Sequence, residues 1–173
     1  AEGGSFGTWG VNGRVSVATG AVTNSVSGGY RQSDGGTLHS DFKRRQMFYQ
    51  GDLASQHIDL QWQVGLSSQD FGANTFYSAK FNDQFEATRR YLTSLSGTIK
   101  PFDTDWLTLV PQLYWHRDYD HYQLIRGKEG AAAGENYHRT DVYGGGMTAN
   151  LRWLLGTTSV GADIRREHIV STA

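Results

Sequence analysis

Five side chains of metal-binding type crowd one stretch of the sequence: His116, Asp118, Asp120 and His121, with His138 further along. Imidazole and carboxylate together suit divalent cations, but a working site also needs outer partners that orient each ligand, and the sequence supplies no argument for any. We read these residues as solvated and assign no metal. Asp103 and Asp105 could pair as general acid and base, yet they fall in or beside the run Lys100 to Thr104, which reads as a tight turn away from any cleft. Gly144-Gly145-Gly146 lacks the lysine and the following helix of a phosphate loop, and no Gly-x-Ser-x-Gly stands before a helix. With no cysteine, a thiolate nucleophile, a thiolate metal site and a disulfide framework are all excluded. The expectation is a protein that is not an enzyme and carries no cofactor.

Aromatic side chains are the other residues with chemistry to offer. The stretch from Ser68 to Ala87 holds Phe71, Phe76, Tyr77, Lys80, Phe81 and Phe85. So many rings in a connection between strands suggest a contact surface, because exposed apolar patches generally mark one. The candidate ligand contacts are Phe76, Tyr77, Lys80 and Phe81, with Tyr119, Tyr122, Tyr137 and His138 from a neighbouring loop. Rings packed on one another to give that loop a fixed shape are the other reading, and the sequence leaves both open.

Strands must position these residues. Gly is abundant at 22, Pro scarce at 2, and the aromatics comprise 5 Trp, 9 Tyr and 8 Phe, a balance that favours strands and tight turns over helix. From His57 to Ser67 every even residue, Ile58, Leu60, Trp62, Val64 and Leu66, is apolar, and every odd one is polar or glycine. The period of two returns at Leu107 to Trp115 with Pro111 interrupting it, at Tyr143 to Trp153, and at Thr158 to Ile164. Weaker rows are Trp9 to Val17, Val22 to Tyr30, Met47 to Leu53 and Tyr91 to Ile99. These make about eight strands in one domain.

Connections alternate between short and long. Thr19-Gly20-Ala21, Ser55-Gln56, Lys100 to Thr104 and Leu155-Gly156-Thr157 are short, while Gln32 to Ser40, Ser68 to about Ala87 and Arg117 to Thr140 are long. That is the pattern of an antiparallel up-and-down transmembrane β-barrel, with tight periplasmic turns and extended external loops. Trp9, Tyr91, Trp115 and Tyr143 then fall near the long-loop ends of one apolar face, as an interfacial girdle would. Polar rows such as Asp59, Gln61, Gln63 and Asp163, Arg165, Glu167 suit a wet lumen. A net charge of −1 leaves no basic surplus for nucleic acid, and no apolar run is long enough for a spanning helix. Ala1 to Ser5 is unlike a signal peptide, and both ends would lie on the long-loop side, so the chain reads as a barrel segment bounded by two external loops. Closure as an eight-stranded barrel, in a membrane or in water, is the alternative.

Several runs resemble TonB-dependent outer-membrane receptors of the Bacteroidetes type. They are Asp70-Phe71-Gly72-Ala73-Asn74-Thr75-Phe76-Tyr77-Ser78-Ala79-Lys80-Phe81 with Gln84-Phe85-Glu86, then Pro111 to Arg117 with Asp120, and Asn136 to Gly144. The nearest likeness is to cobalamin and siderophore receptors, and it covers most of the chain. It implies part of a barrel of about 22 strands, in which a plug domain closes the lumen. It further implies bacterial outer-membrane lipid, a transported bulky solute, the plug and, through the plug, the TonB complex as partners. Plug, TonB-contact segment and final aromatic-ended strand have no counterpart in these residues.

Overall fold

The computed structural model describes residues 1–172 as a single antiparallel sheet with strands in sequence order. β1 is Glu2–Gly3, β2 Trp9–Thr19, β3 Val22–Ser33, β4 Phe42–Ala54, β5 Ile58–Asn74, β6 Gln84–Ile99, β7 Leu107–Gln123, β8 Glu135–Trp153 and β9 Gly156–Thr172. One 3-10 turn, Ala131–Ala133, is the only helical element of the described residues, and no helix there is long and apolar enough to cross a membrane. The all-β, up-and-down architecture expected from the sequence is present, with β1 as a ninth, two-residue strand that periodicity does not reveal. It pairs with the start of β2, Glu2 opposite Gly10, and Arg31 holds the Glu2 carboxylate at 2.9 Å.

The sheet is open. Among the described residues β9 bonds only to β8, so the chain does not itself complete a barrel and leaves β2 and β9 as largely free edges. The long connections are also shorter than the sequence suggested: 34–41, 75–83 and 124–134. Strands β5 to β8 continue past their apolar stretches, with polar side chains on both faces. Cross-strand ion pairs such as Arg117 with Asp141, Arg90 with Asp118 and Arg89 with Asp70 replace apolar neighbours there. A segment polar on both sides carries no alternation, so it resembles a loop.

Pairing sorts the residues into two faces. Val15 stands opposite Val26, then in turn Tyr49, Val64, Thr93, Trp115, Tyr143 and Arg166. This outer face carries every apolar row, and the inner face carries Asp52, Gln61, Gln63, Ser94, Gln112, Asp163 and their neighbours. Hydrogen bonds link the inner row from Asp52 through Gln61 (2.8 Å) and Gln63 (3.0 Å) to Ser94 (3.3 Å). On the outer face of β3 the polar Asn24 accepts the Tyr49 hydroxyl at 2.8 Å, and that hydroxyl accepts the Trp62 N–H at 3.0 Å. The indole lies over Gly51, where a Cβ would come within 2.1 Å of it. Pro111 has no N–H to donate, and the β6–β7 pairing lapses between Gln112 and Leu109.

The upper limit of the apolar face crosses the ladder obliquely. Trp9 lies six residues beyond Val15, Tyr30 four beyond Val26 and Tyr91 two beyond Thr93, whereas Trp115 and Tyr143 stand on the row itself. The short turns step down in the same sense from β2 to β9. From Trp9 to Thr19, Tyr91 to Ile99 and Tyr143 to Trp153 the band therefore keeps a depth of roughly 9–11 residues. Above it the outer face turns charged, with Arg45, Arg89, Arg117, Arg139 and Arg166.

Opposite edges make a direct test of openness. With cysteines replacing Val15 and Val160 in the intact protein, oxidation should give no intramolecular disulfide, because the Cα atoms must approach within about 7 Å for one. Efficient bond formation, seen as a mobility shift on a non-reducing gel, would mean that β2 and β9 meet.

Candidate functional site

At the long-loop end, polar contacts tie the three long connections to one another. Arg126, from 124–134, makes a bidentate pair with Asp41 of 34–41 at 3.0 and 3.2 Å. His39 meets Asp83 at 3.1 Å, and the Arg126 N–H donates to the Asp83 carbonyl at 2.7 Å. The Arg126 guanidinium also lies 4.7 Å from the centre of the Phe85 ring. The first loop is pinned to β5 by backbone bonds from Gly72 to Asp41 (2.8 Å) and from Asn74 to His39 (3.1 Å). The sheet's end is a connected rim.

The 75–83 loop is organised by a residue that pattern reasoning did not single out. Gln84 is fully buried, its amide N–H groups donate to the Ser78 and Phe81 carbonyls at 2.8 and 2.6 Å, and its carbonyl accepts the Tyr122 hydroxyl at 3.0 Å. Tyr77 packs edge-on against Tyr122 with ring centres 5.2 Å apart and donates its hydroxyl to Glu86. Burial, then the Glu86 carboxylate, push the Tyr77 phenol well above its ordinary pKa, so it stays a neutral donor. Phe76 stands edge-on to Tyr77 at 4.8 Å but remains 81 % exposed. Lys80 lies over the Phe81 ring at 5.7 Å. Phe76, Tyr77 and Tyr122, with Lys80 and Phe81 in the same loop, thus form one aromatic ledge. Phe71 and Phe85 are not part of the loop: both belong to strands.

The remaining candidates stand apart from it. Tyr119 and Tyr137 point to the outer face, because 119 and 122 differ in parity on one strand. Tyr119 faces Tyr91 at 6.1 Å, and Tyr137 stacks on His121 at 4.2 Å. His138 is on the inner face, hydrogen-bonded to Ser171 at 2.6 Å. Beside Tyr137, Glu135 accepts from the Gly130 N–H (2.7 Å), His121 (2.8 Å), Gln123 (3.1 Å) and the Tyr137 hydroxyl (3.0 Å). The Gly130 bond first, then His121, pull its pKa down to about 2. This carboxylate staples the start of β8 to the 124–134 loop.

The same parity splits the residues of metal-binding type. His116, Asp118, Asp120 and His138 face inward and His121 outward. Asp118 is taken by Arg90, and no group of three or more such residues is placed to hold an ion among the described residues. Asp103 pairs with His57 at 2.8 Å and Asp105 with Lys100 at 3.3 Å, both in the short-turn region. The rim's geometry offers aromatic surface, hydroxyl donors and a cation for binding. Comparison of the chain with family models, with curated proteins and with solved structures finds no match.

Gln84→Leu keeps the volume but removes both donors and the acceptor, so the Phe81 carbonyl and the Tyr122 hydroxyl lose their partner and the Ser78 carbonyl keeps only the 3.3 Å bond from the Phe81 N–H. It should cost about 1–3 kcal/mol, concentrated in the 75–83 loop. Amide exchange should accelerate there and at Tyr122, with the amides from Ile58 to Leu66 unchanged. Equal protection of the loop in both proteins would show that Gln84 does not hold it.

Proposed function

We propose that this chain forms part of the wall of a bacterial outer-membrane barrel of the TonB-dependent receptor kind, which captures a bulky solute such as cobalamin or an iron-siderophore and passes it inward. One observation carries this reading: an apolar sheet face with nothing over it. Among the described residues only Ala73, Ala87 and Val142 are buried apolar side chains, whereas Val15, Val64, Leu113, Ile164 and many others stand exposed. A sheet in water must cover such a face with a second layer. Hydrocarbon does so for a band of about 9–11 tilted residues per strand, edged by aromatic side chains and backed by a polar lumen. The oblique limit of the band suits strands tilted to a barrel axis, and the free edges of β2 and β9 suit neighbouring strands of a larger wall. A self-contained eight-stranded barrel would need a β2–β9 pairing that this sheet lacks.

On this reading the ledge of Phe76, Tyr77 and Tyr122, with Lys80 beside it, meets the solute at the mouth. A lumen-filling plug would pack against Gln61, Gln63 and Asp163, and couple the barrel to the TonB complex. Ordering the loop through Gln84 before binding lowers the entropy lost when solute arrives.

Sidedness gives the first test. In the intact protein Leu60→Arg should block assembly into the membrane, at a cost of about 2–4 kcal/mol near the midplane, whereas Gln61→Arg should assemble normally. Equal yields of heat-modifiable, membrane-inserted protein from both variants would refute the orientation.

The ledge gives the second. Tyr77→Ala combined with Lys80→Ala should weaken retention of cobalamin or of a ferric siderophore by about tenfold, equivalent to about 1.4 kcal/mol, at unchanged abundance in the membrane. Unaltered retention of both would return the loop to an architectural role.

A further inference from the structure

Two hollows on the outer face adjoin each other where the apolar band gives way to charge. The lower, about 720 Å³, is a groove between Trp62, Leu95, Leu113 and Ile164, with Gly145 in its lining and Leu113 leaning over that glycine. The upper, about 620 Å³, lies among Arg117, Arg139, Asp141 and His168. Tyr143 and Arg166 line both.

Charge in the upper hollow is unbalanced. Asp141 is the one carboxylate among three guanidinium groups, with Arg117 at 2.6 Å and Arg139 at 3.4 Å from it. Arg166 has no carboxylate partner among the described residues. Two positive charges are thus left over, and guanidinium forks match the paired oxygens of a phosphate. Directly beneath them lies a groove whose walls are almost wholly apolar. A cationic hollow stacked on an apolar groove fits a ligand with the same two halves.

Resting on the membrane reading above, we infer that the two hollows form one site for an anionic, phosphate-bearing lipid. Arg139 and Arg166 hold its phosphate, and an acyl chain lies in the groove. Tyr143, shared by both hollows, stands at the junction of headgroup and chain, where an amphipathic ring belongs. A bare phosphate would use only the upper half, and a zwitterionic lipid would bring its own cation into a hollow that already holds three.

Native mass spectrometry of the intact protein in a neutral detergent tests this with three probes: dimyristoyl phosphatidylglycerol, dimyristoyl phosphatidylcholine and inorganic phosphate. Phosphatidylglycerol should be retained about tenfold more tightly than phosphatidylcholine, and phosphate at matching concentration should not displace it. Arg139→Gln with Arg166→Gln should abolish that preference. Lys43→Gln with Arg45→Gln, on the same face but away from the groove, should keep it. Equal retention of the two lipids, an undiminished preference in the Arg139/Arg166 variant, or displacement by phosphate alone would each overturn the lipid site while leaving the membrane reading intact. Monodispersity without any detergent would overturn the membrane reading and the lipid site with it.

Discussion

Because side chains alternate along a strand, a slip of one residue between any two neighbours would exchange their faces. Everything described here depends on that slip not occurring. From β2 to β9 the apolar rows stay on one side, and the single register shift, between Gly72 and Asn74, lies in the polar extension beyond the band. Placed lower, the same bulge would have turned Leu60 and Trp62 toward the polar face. Short turns help to set the register, as at Gly20, whose positive φ of 59° lets β2 reverse into β3 through two residues.

The two faces hold themselves by different means. Outside, cohesion comes from flat contact, as where Trp62 covers Gly51. The polar Asn24 is tolerated because Tyr49 and Trp62 form a chain of donors that ends on it. Inside, amides, hydroxyls and carboxylates bond along the rows, each link contributing about 1 kcal/mol or less net where water competes. At the rim, beyond the apolar band, charge joins the packed rings. Asp41 with Arg126 and Glu135 with its four donors give the loops a fixed arrangement.

Strand order and face assignment were legible in the sequence wherever one face was apolar. Ile58 to Leu66 declares its strand unaided. Legibility failed above Arg117 on β7, where Arg117, Tyr119 and His121 face one way and Asp118, Asp120 and Tyr122 the other, so both faces are polar and no alternation survives. That same failure merged Tyr119 and Tyr137 with Tyr122 into one expected site. Had the strand been extended to Gln123, parity alone would have separated them. Gln84 was invisible for another reason: a buried amide among loop carbonyls looks like any surface glutamine until the loop is folded around it. The Asp41–Arg126 pair spans 85 residues, and only the register brings its ends together.

Each strand pairs only with its neighbours in sequence, and the longest connection between them is 124–134. Contacts of this kind close small loops, so the chain entropy lost at each step is modest and hairpins can add one after another in a zipper. What this order of growth leaves over is the two margins, the outer edges of β2 and β9. The seventeen residues of β9 present one row of backbone amides and carbonyls without a strand partner among the described residues, and such an edge is a template for whichever extended segment reaches it first. Haste in the middle and exposure at the margins are thus two results of one topology.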